Sequence, residues 1–257
     1  MEIEDSRGEG SSLWILDVAR GVNTRFTFGS GLSQGASWSP NGDTILFASD
    51  RNGPVTLFAK NAAGEGQEQQ LALADTILGP EGSSPDGAWL MVLTRSSITQ
   101  LDLVAISLPD GETRLPVLRS EADEAQGRFS PDGSRFAYTS NESGRYEIYV
   151  QPFPGPGGKW QVSSGGGIDP QWRGDGKELF YLSPERQLMT VTVDPGPPFR
   201  TGAPRALFTA RVSPDTATRN RYAATADGER FLVNTTSGGG TPPPIVVVLD
   251  WTAGLAR

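Results

Sequence analysis

The sequence predicts an all-β fold, a β-propeller made of four-stranded blades, and three observations support this. A two-residue turn signal recurs five times, at spacings of 45, 46, 43 and 52 residues. The chain has 32 glycines and 20 prolines among 257 residues, well above average usage, which indicates many turns between short elements. Between these turns no stretch keeps a 3.6-residue apolar period, so we expect little or no helix.

The turn signal is an Asn-Gly or Asp-Gly pair at the tip of a predicted hairpin. In the third copy it stands in Ser130-Pro131-Asp132-Gly133. Proline presets φ for the first corner of a type I turn, Asp tolerates the second corner, and Gly takes a positive φ without a Cβ clash. We therefore interpret the paired residues as structural turn positions with no catalytic role. The five pairs are Asn41 and Gly42, Asp86 and Gly87, Asp132 and Gly133, Asp175 and Gly176, and Asp227 and Gly228.

The residues around each pair predict the strands of one blade. Three mostly apolar residues follow at offsets four to six and form the second strand, and a hydroxyl residue follows at offset eight in all five copies. A repeat of about 45 residues with four short strands is the period of a propeller blade. The third strands are predicted at 55–59, 101–106, 146–150, 188–193 and 245–249. The fourth strands are predicted at 69–73, 113–118, 159–163 and 205–209.

The repeats predict a single propeller domain over residues 12–257, after a flexible leader over residues 1–11. The five repeat hairpins give five blades, or part of a six-bladed ring. Residues 13–28 hold two strand-like segments with no hairpin before them. We expect these segments to pair with the C-terminal repeat and complete one blade, since an open ring would leave two unpaired strand edges.

The residue types that are missing exclude several kinds of chemistry. The chain has no His and no Cys, which excludes Ser-His-Asp and Cys-His catalysis, disulfides, and metal sites built on His or Cys. We expect no bound cofactor and no metal ion. The net charge of −8 disfavours nucleic acid and anionic membranes as partners. The acidic first residues lack an apolar stretch, so the sequence predicts no signal peptide and no direct membrane insertion.

The third and fourth repeats, residues 127–182, carry the most specific pattern, a Ser-Pro-Asp-Gly turn followed by apolar, aromatic and hydroxyl residues. This pattern resembles the TolB-like, WD40-like β-propeller repeats of bacteria. In detail it is similar to the propeller that follows bacterial serine/threonine protein kinase domains. The resemblance covers residues 14–251 and implies a propeller without established catalytic residues, joined to a signalling protein. If that protein is a membrane-anchored kinase, the resemblance implies a location outside the cytoplasm.

These observations predict a non-catalytic module for protein interaction or sensing, a monomeric domain that binds a protein or small ligand at a propeller face. The alternative is a hydrolase or lyase that works through channel-lining carboxylates, alone or with a metal ion. Asp102 and Glu147 alternate with apolar neighbours on third strands, so we expect both side chains to face solvent.

Overall fold

The computed structural model describes residues 2–4, 11–73, 77–155, 157–212, 221–234 and 246–248, and these contain strands, turns and loops without a helix. Nothing in this part of the chain could therefore cross a membrane as a helix. By its contacts the chain divides into two compact units, Met1–Glu121 and Ala122–Arg257. The single domain expected over residues 12–257 stays a prediction.

The first unit holds three antiparallel sheets in which strands that follow each other in the chain are hydrogen-bonded neighbours. The N-terminal sheet contains β1 (Glu2–Glu4), β2 (Ser11–Asp17) and β3 (Val22–Arg25). The second sheet contains β4 (Ser33–Trp38), β5 (Thr44–Ser49), β6 (Thr56–Asn61) and β7 (Gln69–Leu73). The third sheet contains β8 (Ile77–Ser83), β9 (Trp89–Ser96), β10 (Gln100–Ser107) and β11 (Arg114–Leu118).

The N-terminal sheet begins earlier in the chain than the sequence predicts. Strand β1 lies inside the leader expected over residues 1–11, and its backbone pairs with β2, with Glu2 opposite Leu13. Strand β2 is hydrogen-bonded to β1 on one edge and to β3 on the other. The expected pairing of residues 13–28 with the C-terminal repeat stays a prediction, because most of the chain after residue 234 lies outside the described residues.

The second unit also holds three antiparallel sheets. The first contains β12 (Glu124–Phe129), β13 (Arg135–Ser140), β14 (Glu147–Pro152) and β15 (Trp160–Gln161). The second contains β16 (Ile168–Trp172), β17 (Glu178–Leu182), β18 (Gln187–Asp194), β19 (Arg200–Thr201) and β20 (Arg205–Thr209), and β18 pairs with both β19 and β20. The third contains β21 (Tyr222–Ala224), β22 (Phe231–Val233) and β23 (Val246–Val248).

Each repeat turn joins the first and second strands of its sheet, so five of the six sheets among the described residues carry one turn. The fourth strands predicted at 69–73 and 205–209 coincide with β7 and β20, and every predicted third strand lies within two residues of the observed bounds. The prediction of an all-β fold built from antiparallel, mostly four-stranded sheets is confirmed.

The second strands are apolar along their length because neighbouring sheets cover both of their faces. In β17, Leu179 and Tyr181 pack in one cluster with Ala137 of the preceding sheet. The alternate residue Phe180 packs in another cluster with Phe231 of the following sheet. A sheet with one face in water would alternate apolar and polar residues. Burial on both faces therefore explains the run of three apolar residues at offsets four to six.

Candidate functional site

All five turn pairs share one backbone geometry. In each pair the glycine N–H donates to the carbonyl three residues earlier at 2.8–2.9 Å, and the glycine φ lies between 70° and 76°. The Asn or Asp side-chain oxygen accepts the N–H two residues later, at 3.0–3.2 Å. These contacts hold the chain reversal itself. The residues in this position are Asn41, Gly42, Asp86, Gly87, Asp132, Gly133, Asp175, Gly176, Asp227 and Gly228.

Two of these turns, from the third and fourth repeats, lie side by side in the second unit and border an open groove. The groove is a shallow surface depression, lined by residues of both turns and of the segments beside them. Of the ten turn residues it brings together Asp132, Asp175 and Gly176, and the other seven are not part of its lining. We call this feature the turn groove; it has an apolar wall and a polar rim.

The side chains of the apolar wall are held by contacts within the protein. Its residues are Pro131, Trp172, Val193, Pro195 and Phe199. The Nε1–H of Trp172, at the end of β16, donates to the carbonyl of Arg128 at 3.1 Å, which fixes the indole ring. Phe199 is 5% exposed, and its ring packs against Trp160 with 4.9 Å between centroids. The wall therefore combines the partly exposed rings of Trp172 and Pro131 and the exposed Pro195 with the buried side chains of Phe199 and Val193.

Arg135, the first residue of β13, supplies the cation that lines the groove. Its guanidinium carbon lies 5.2 Å from the centroid of the Phe199 ring, a cation–π distance. One terminal nitrogen donates to the carbonyl of Pro195 at 2.9 Å and the other to the hydroxyl of Ser134 at 3.1 Å. The Nε atom is buried and has no hydrogen-bond partner among the described residues.

Two carboxylates stand on the rim, and both are ionised at neutral pH. Partial burial acts to raise the pKa of Asp132, but hydrogen bonds from Ser130 and Ser134 outweigh it and hold the pKa below its ordinary value. The hydrogen bond from Arg173 holds the pKa of Asp175 well below its ordinary value, and the two residues form an ion pair at 2.5 Å. Asp132 has no comparable ion pair among the described residues.

The chemistry of the turn groove belongs to the third and fourth repeats and is not a property of every pair of blades. At the equivalent places of the first and second repeats the sequence has Thr44 where the groove has Arg135, and Ser83 where it has Trp172. Sequence reasoning gave Asp132 and Asp175 a turn role and missed the groove. A sequence signal for the groove was available. An Arg stands three residues after the Asp of one turn pair, and a Trp stands three residues before the Asp of the next.

A buried polar network lies away from the groove, on the first strands of two sheets of the second unit and directly before the first strand of the third. It joins residues that stand six before the turn pair in consecutive repeats: Gln126, Asp169 and Arg221. Asp169 accepts hydrogen bonds from Gln126 Nε2 at 2.5 Å and from Arg221 Nη1 at 2.9 Å. Burial raises the pKa of Asp169 to about 6, against the opposing effect of Arg221. Through these hydrogen bonds the Asp169 carboxylate links residues of adjacent repeats.

Asp102 and Glu147, expected to face solvent, are buried, with 4% and 0% exposed. Glu147 accepts the N–H of Gly166 at 2.9 Å, the guanidinium Nε–H of Arg145 at 2.7 Å and the hydroxyl of Ser163. The expectation was wrong because alternation along one strand does not reveal that neighbouring sheets and loops cover both faces. Within the described ranges no three Asp or Glu residues form a group that could hold a metal ion.

Comparison with known proteins places the fold more firmly than the function. No family model matches the chain. The uncharacterized protein Atu1656 of Agrobacterium fabrum is 26% identical over 143 residues, 51% of this chain and 48% of that protein. The uncharacterized peptidase YuxL of Bacillus subtilis is 24% identical over 168 residues, 51% of this chain and 25% of that protein. The chain thus spans about half of the first relative and a quarter of the second.

Three solved structures of low sequence identity share the architecture. TolB from Acinetobacter baumannii has a TM-score of 0.72 at 16% identity, over 92% of this chain and 57% of that one. An oligogalacturonate lyase in complex with manganese has a TM-score of 0.59 at 17% identity, over 89% and 65% of the two chains. The Cps50 (Swd1) β-propeller domain of Myceliophteria thermophila has a TM-score of 0.57 at 14% identity, over 90% and 69%. Together with the antiparallel sheets, these likenesses show that the fold is a β-propeller similar to that of TolB.

Proposed function

We propose that the chain is a non-catalytic interaction module that binds a protein partner at the turn groove. The observation that carries this proposal is the meeting of Trp172, Phe199 and Arg135 in one groove. Tryptophan and arginine are the residue types that most often dominate the binding energy of protein interfaces. Because the indole and the guanidinium are already held by hydrogen bonds, little side-chain entropy is lost when a partner binds.

The use of the buried carboxylates supports a binding role. Both oxygens of Asp169 accept hydrogen bonds from side chains of the neighbouring repeats. Glu147 accepts hydrogen bonds from Arg145, Ser163 and the backbone of Gly166. A general acid or base must come within hydrogen-bond reach of a substrate. Neither carboxylate has the exposure for that role, since Asp169 is 1% and Glu147 0% exposed.

A hydrolase or lyase is the second candidate, and the observation that favours it is the naming of similar proteins as a peptidase and as a lyase. Its chemistry would rest on carboxylates. The purified chain, assayed against glycoside, ester, lactone and peptide substrates with added Ca²⁺, Mg²⁺ or Mn²⁺, tests this candidate. Turnover that is lost on adding a chelator, or on replacing one Asp or Glu, would place it ahead of the binding module.

We further propose that the parent protein is a bacterial signalling protein, such as a serine/threonine kinase, with this propeller as its C-terminal part. The repeat pattern of residues 127–182 supports this. If the kinase is anchored in the membrane, the propeller lies outside the cytoplasm. The reading frame upstream of the codon for Met1 tests the proposal, and a frame without a kinase domain would remove it.

Photo-crosslinking tests the binding site. A benzophenone amino acid is placed at position 195, in the wall of the groove, or at position 98, where Ile98 is 78% exposed in the first unit. We expect a crosslinked partner from position 195, suppressed by the additional substitution Arg135→Ala, and no crosslink to that partner from position 98. Equal crosslinking from both positions would contradict a site at the turn groove.

A further inference from the structure

We propose that Asn52 is a site of spontaneous covalent modification, at which the side-chain amide is converted to a carboxylate while the chain stays folded. The sequence holds two Asn-Gly pairs, Asn41 with Gly42 and Asn52 with Gly53. Both pairs belong to the first unit, and they differ in how the asparagine side chain is held. This inference does not depend on the turn groove, which lies in the second unit.

The reaction joins the side-chain amide to the nitrogen of the following residue. The backbone nitrogen of Gly53 loses its proton to hydroxide and attacks Cγ of Asn52. The bond between Cγ and Nδ2 breaks, and Nδ2 takes up a proton from water and leaves as ammonia, so that a five-membered imide ring remains. Water then adds to one of the two ring carbonyls and breaks its bond to the Gly53 nitrogen. The net change is one water consumed and one ammonia released, without an oxidant or a reductant.

The backbone makes both Asn-Gly pairs candidates for this reaction. A glycine after the asparagine leaves its nitrogen open to attack, because glycine carries no side chain. At Gly42 and at Gly53 alike, an added Cβ would meet nothing within 4 Å. Each glycine N–H donates to the carbonyl three residues earlier at 2.9 Å, so each asparagine is the third residue of a β-turn. What separates the two pairs is the asparagine side chain.

The side chain of Asn52 is held by nothing in the described part of the chain. It is exposed, and neither its Oδ1 nor its Nδ2 takes part in a hydrogen bond there. Its turn lies in the loop of residues 50–55, beyond the pair of Ser49 in β5 with Thr56 in β6. The side chain can therefore rotate toward the Gly53 nitrogen, and the loop can adjust while the two strands stay paired.

Asn41, by contrast, is held at both polar atoms of its side chain. Oδ1 accepts the Ser39 hydroxyl at 2.7 Å and the Asp43 N–H at 3.2 Å, and Nδ2 donates to the Asp43 carboxylate at 3.0 Å. The Ser39 hydroxyl also accepts the Thr44 N–H at 2.9 Å, which ties these contacts to the hairpin between β4 and β5. Rotation of Cγ toward the Gly42 nitrogen breaks all three side-chain contacts. We therefore expect Asn41 to react at least about tenfold more slowly than Asn52.

The reaction changes the main chain beside Arg51. The guanidinium of Arg51 donates to the hydroxyls of Ser33 and Ser49 at 3.0 and 2.9 Å and pairs with Glu68 at 2.7 Å, so it links three segments of the first unit. If water breaks the ring at Cγ, the product is an ordinary aspartate at position 52, with one added negative charge. If water breaks the ring at the main-chain carbonyl carbon, the product is isoaspartate. The chain then runs through the former side chain and is one atom longer next to Arg51.

The experiment incubates the folded chain at mildly alkaline pH and follows both asparagines by tryptic peptide mapping with mass spectrometry. Cleavage after Arg51 places the two pairs on separate peptides, residues 26–51 and 52–60. We expect the exchange of NH₂ for OH to accumulate in peptide 52–60 at least about tenfold faster than in peptide 26–51. Samples digested without incubation correct for any reaction during the digestion.

The chain unfolded in urea is the control, and Asn41 is the matched internal comparison. Unfolding removes the three contacts of Asn41, so both peptides should then react at similar rates. Isoaspartate in peptide 52–60 identifies the ring, because direct hydrolysis of the amide yields aspartate alone. A folded chain in which Asn52 reacts no faster than Asn41, or stays intact while it reacts in urea, would overturn the proposal. Aspartate without isoaspartate would overturn the assigned reaction.

Discussion

The carboxylate of Asp169 accepts a hydrogen bond from Arg221 Nη1 at 2.9 Å, and the two side chains are 0% and 7% exposed. They belong to equivalent positions, six residues before the turn pair, in consecutive repeats. A polar contact at a repeated position thus joins neighbouring sheets of the second unit. A buried ion pair adds little net stability, but removal of one partner leaves the other charge buried and uncompensated.

Arg221→Ala should therefore lower the free energy of unfolding by about 3 kcal/mol, the usual cost of breaking a buried pair. Urea denaturation followed by tryptophan fluorescence measures the change. Arg95→Ala, at an exposed position of β9, is the control and should have almost no effect. If Arg221→Ala lowers the free energy of unfolding as little as Arg95→Ala does, the buried Asp169 carboxylate does not need Arg221 to compensate its charge.

The same carboxylate should make stability depend on pH. Burial raises the pKa of Asp169 from its ordinary 3.8 to about 6, so the folded state binds this proton more tightly than the unfolded state. The resulting stabilisation is complete below pH 3.8 and is lost as pH rises through 6, a change of about 3 kcal/mol.

Asp169→Asn removes this titration, and the chain has no His that would titrate in the same range. Between pH 4 and pH 7 the free energy of unfolding of the wild type should therefore fall relative to that of Asp169→Asn. Parallel pH profiles for the two proteins would show that Asp169 does not titrate in this window.

Gly133→Val should destabilise the chain by more than about 1 kcal/mol, because a β-branched residue is strained at positive φ. Gly133 has φ 70° and closes the turn that borders the groove. The control is Gly165→Val, at a loop position where an added Cβ meets nothing within 4 Å and where φ is not positive. Thermal midpoints that fall equally in both variants would argue against the strain at Gly133.

The sequence predicted those features that depend on local chemistry. Strands β7 and β20 coincide with their predicted ranges because each turn pair fixes where the following strands begin. Features that depend on neighbouring sheets were missed. Glu147 alternates with apolar residues as a solvent-facing residue would, yet loop donors and an adjacent sheet enclose it.

The groove and the buried network escaped the sequence analysis for related reasons. Phe199 comes from a loop between β18 and β19 that no repeat pattern marks, and it reaches the groove only through folding. Asp169 and Arg221 stand at one repeat position, but that position holds Gly35, Pro80 and Gln126 in the other repeats. Opposite charges at the same position of adjacent repeats were the available signal.

The affinity of the partner captured at position 195 tests the central claim most directly. It is measured by titration calorimetry for the wild-type chain, for Arg135→Ala and for Arg95→Ala. A site at the turn groove predicts that Arg135→Ala weakens binding about tenfold or more, as expected for an interface arginine that contributes strongly, while Arg95→Ala binds like the wild type. Binding to Arg135→Ala that equals binding to the wild type would contradict the claim.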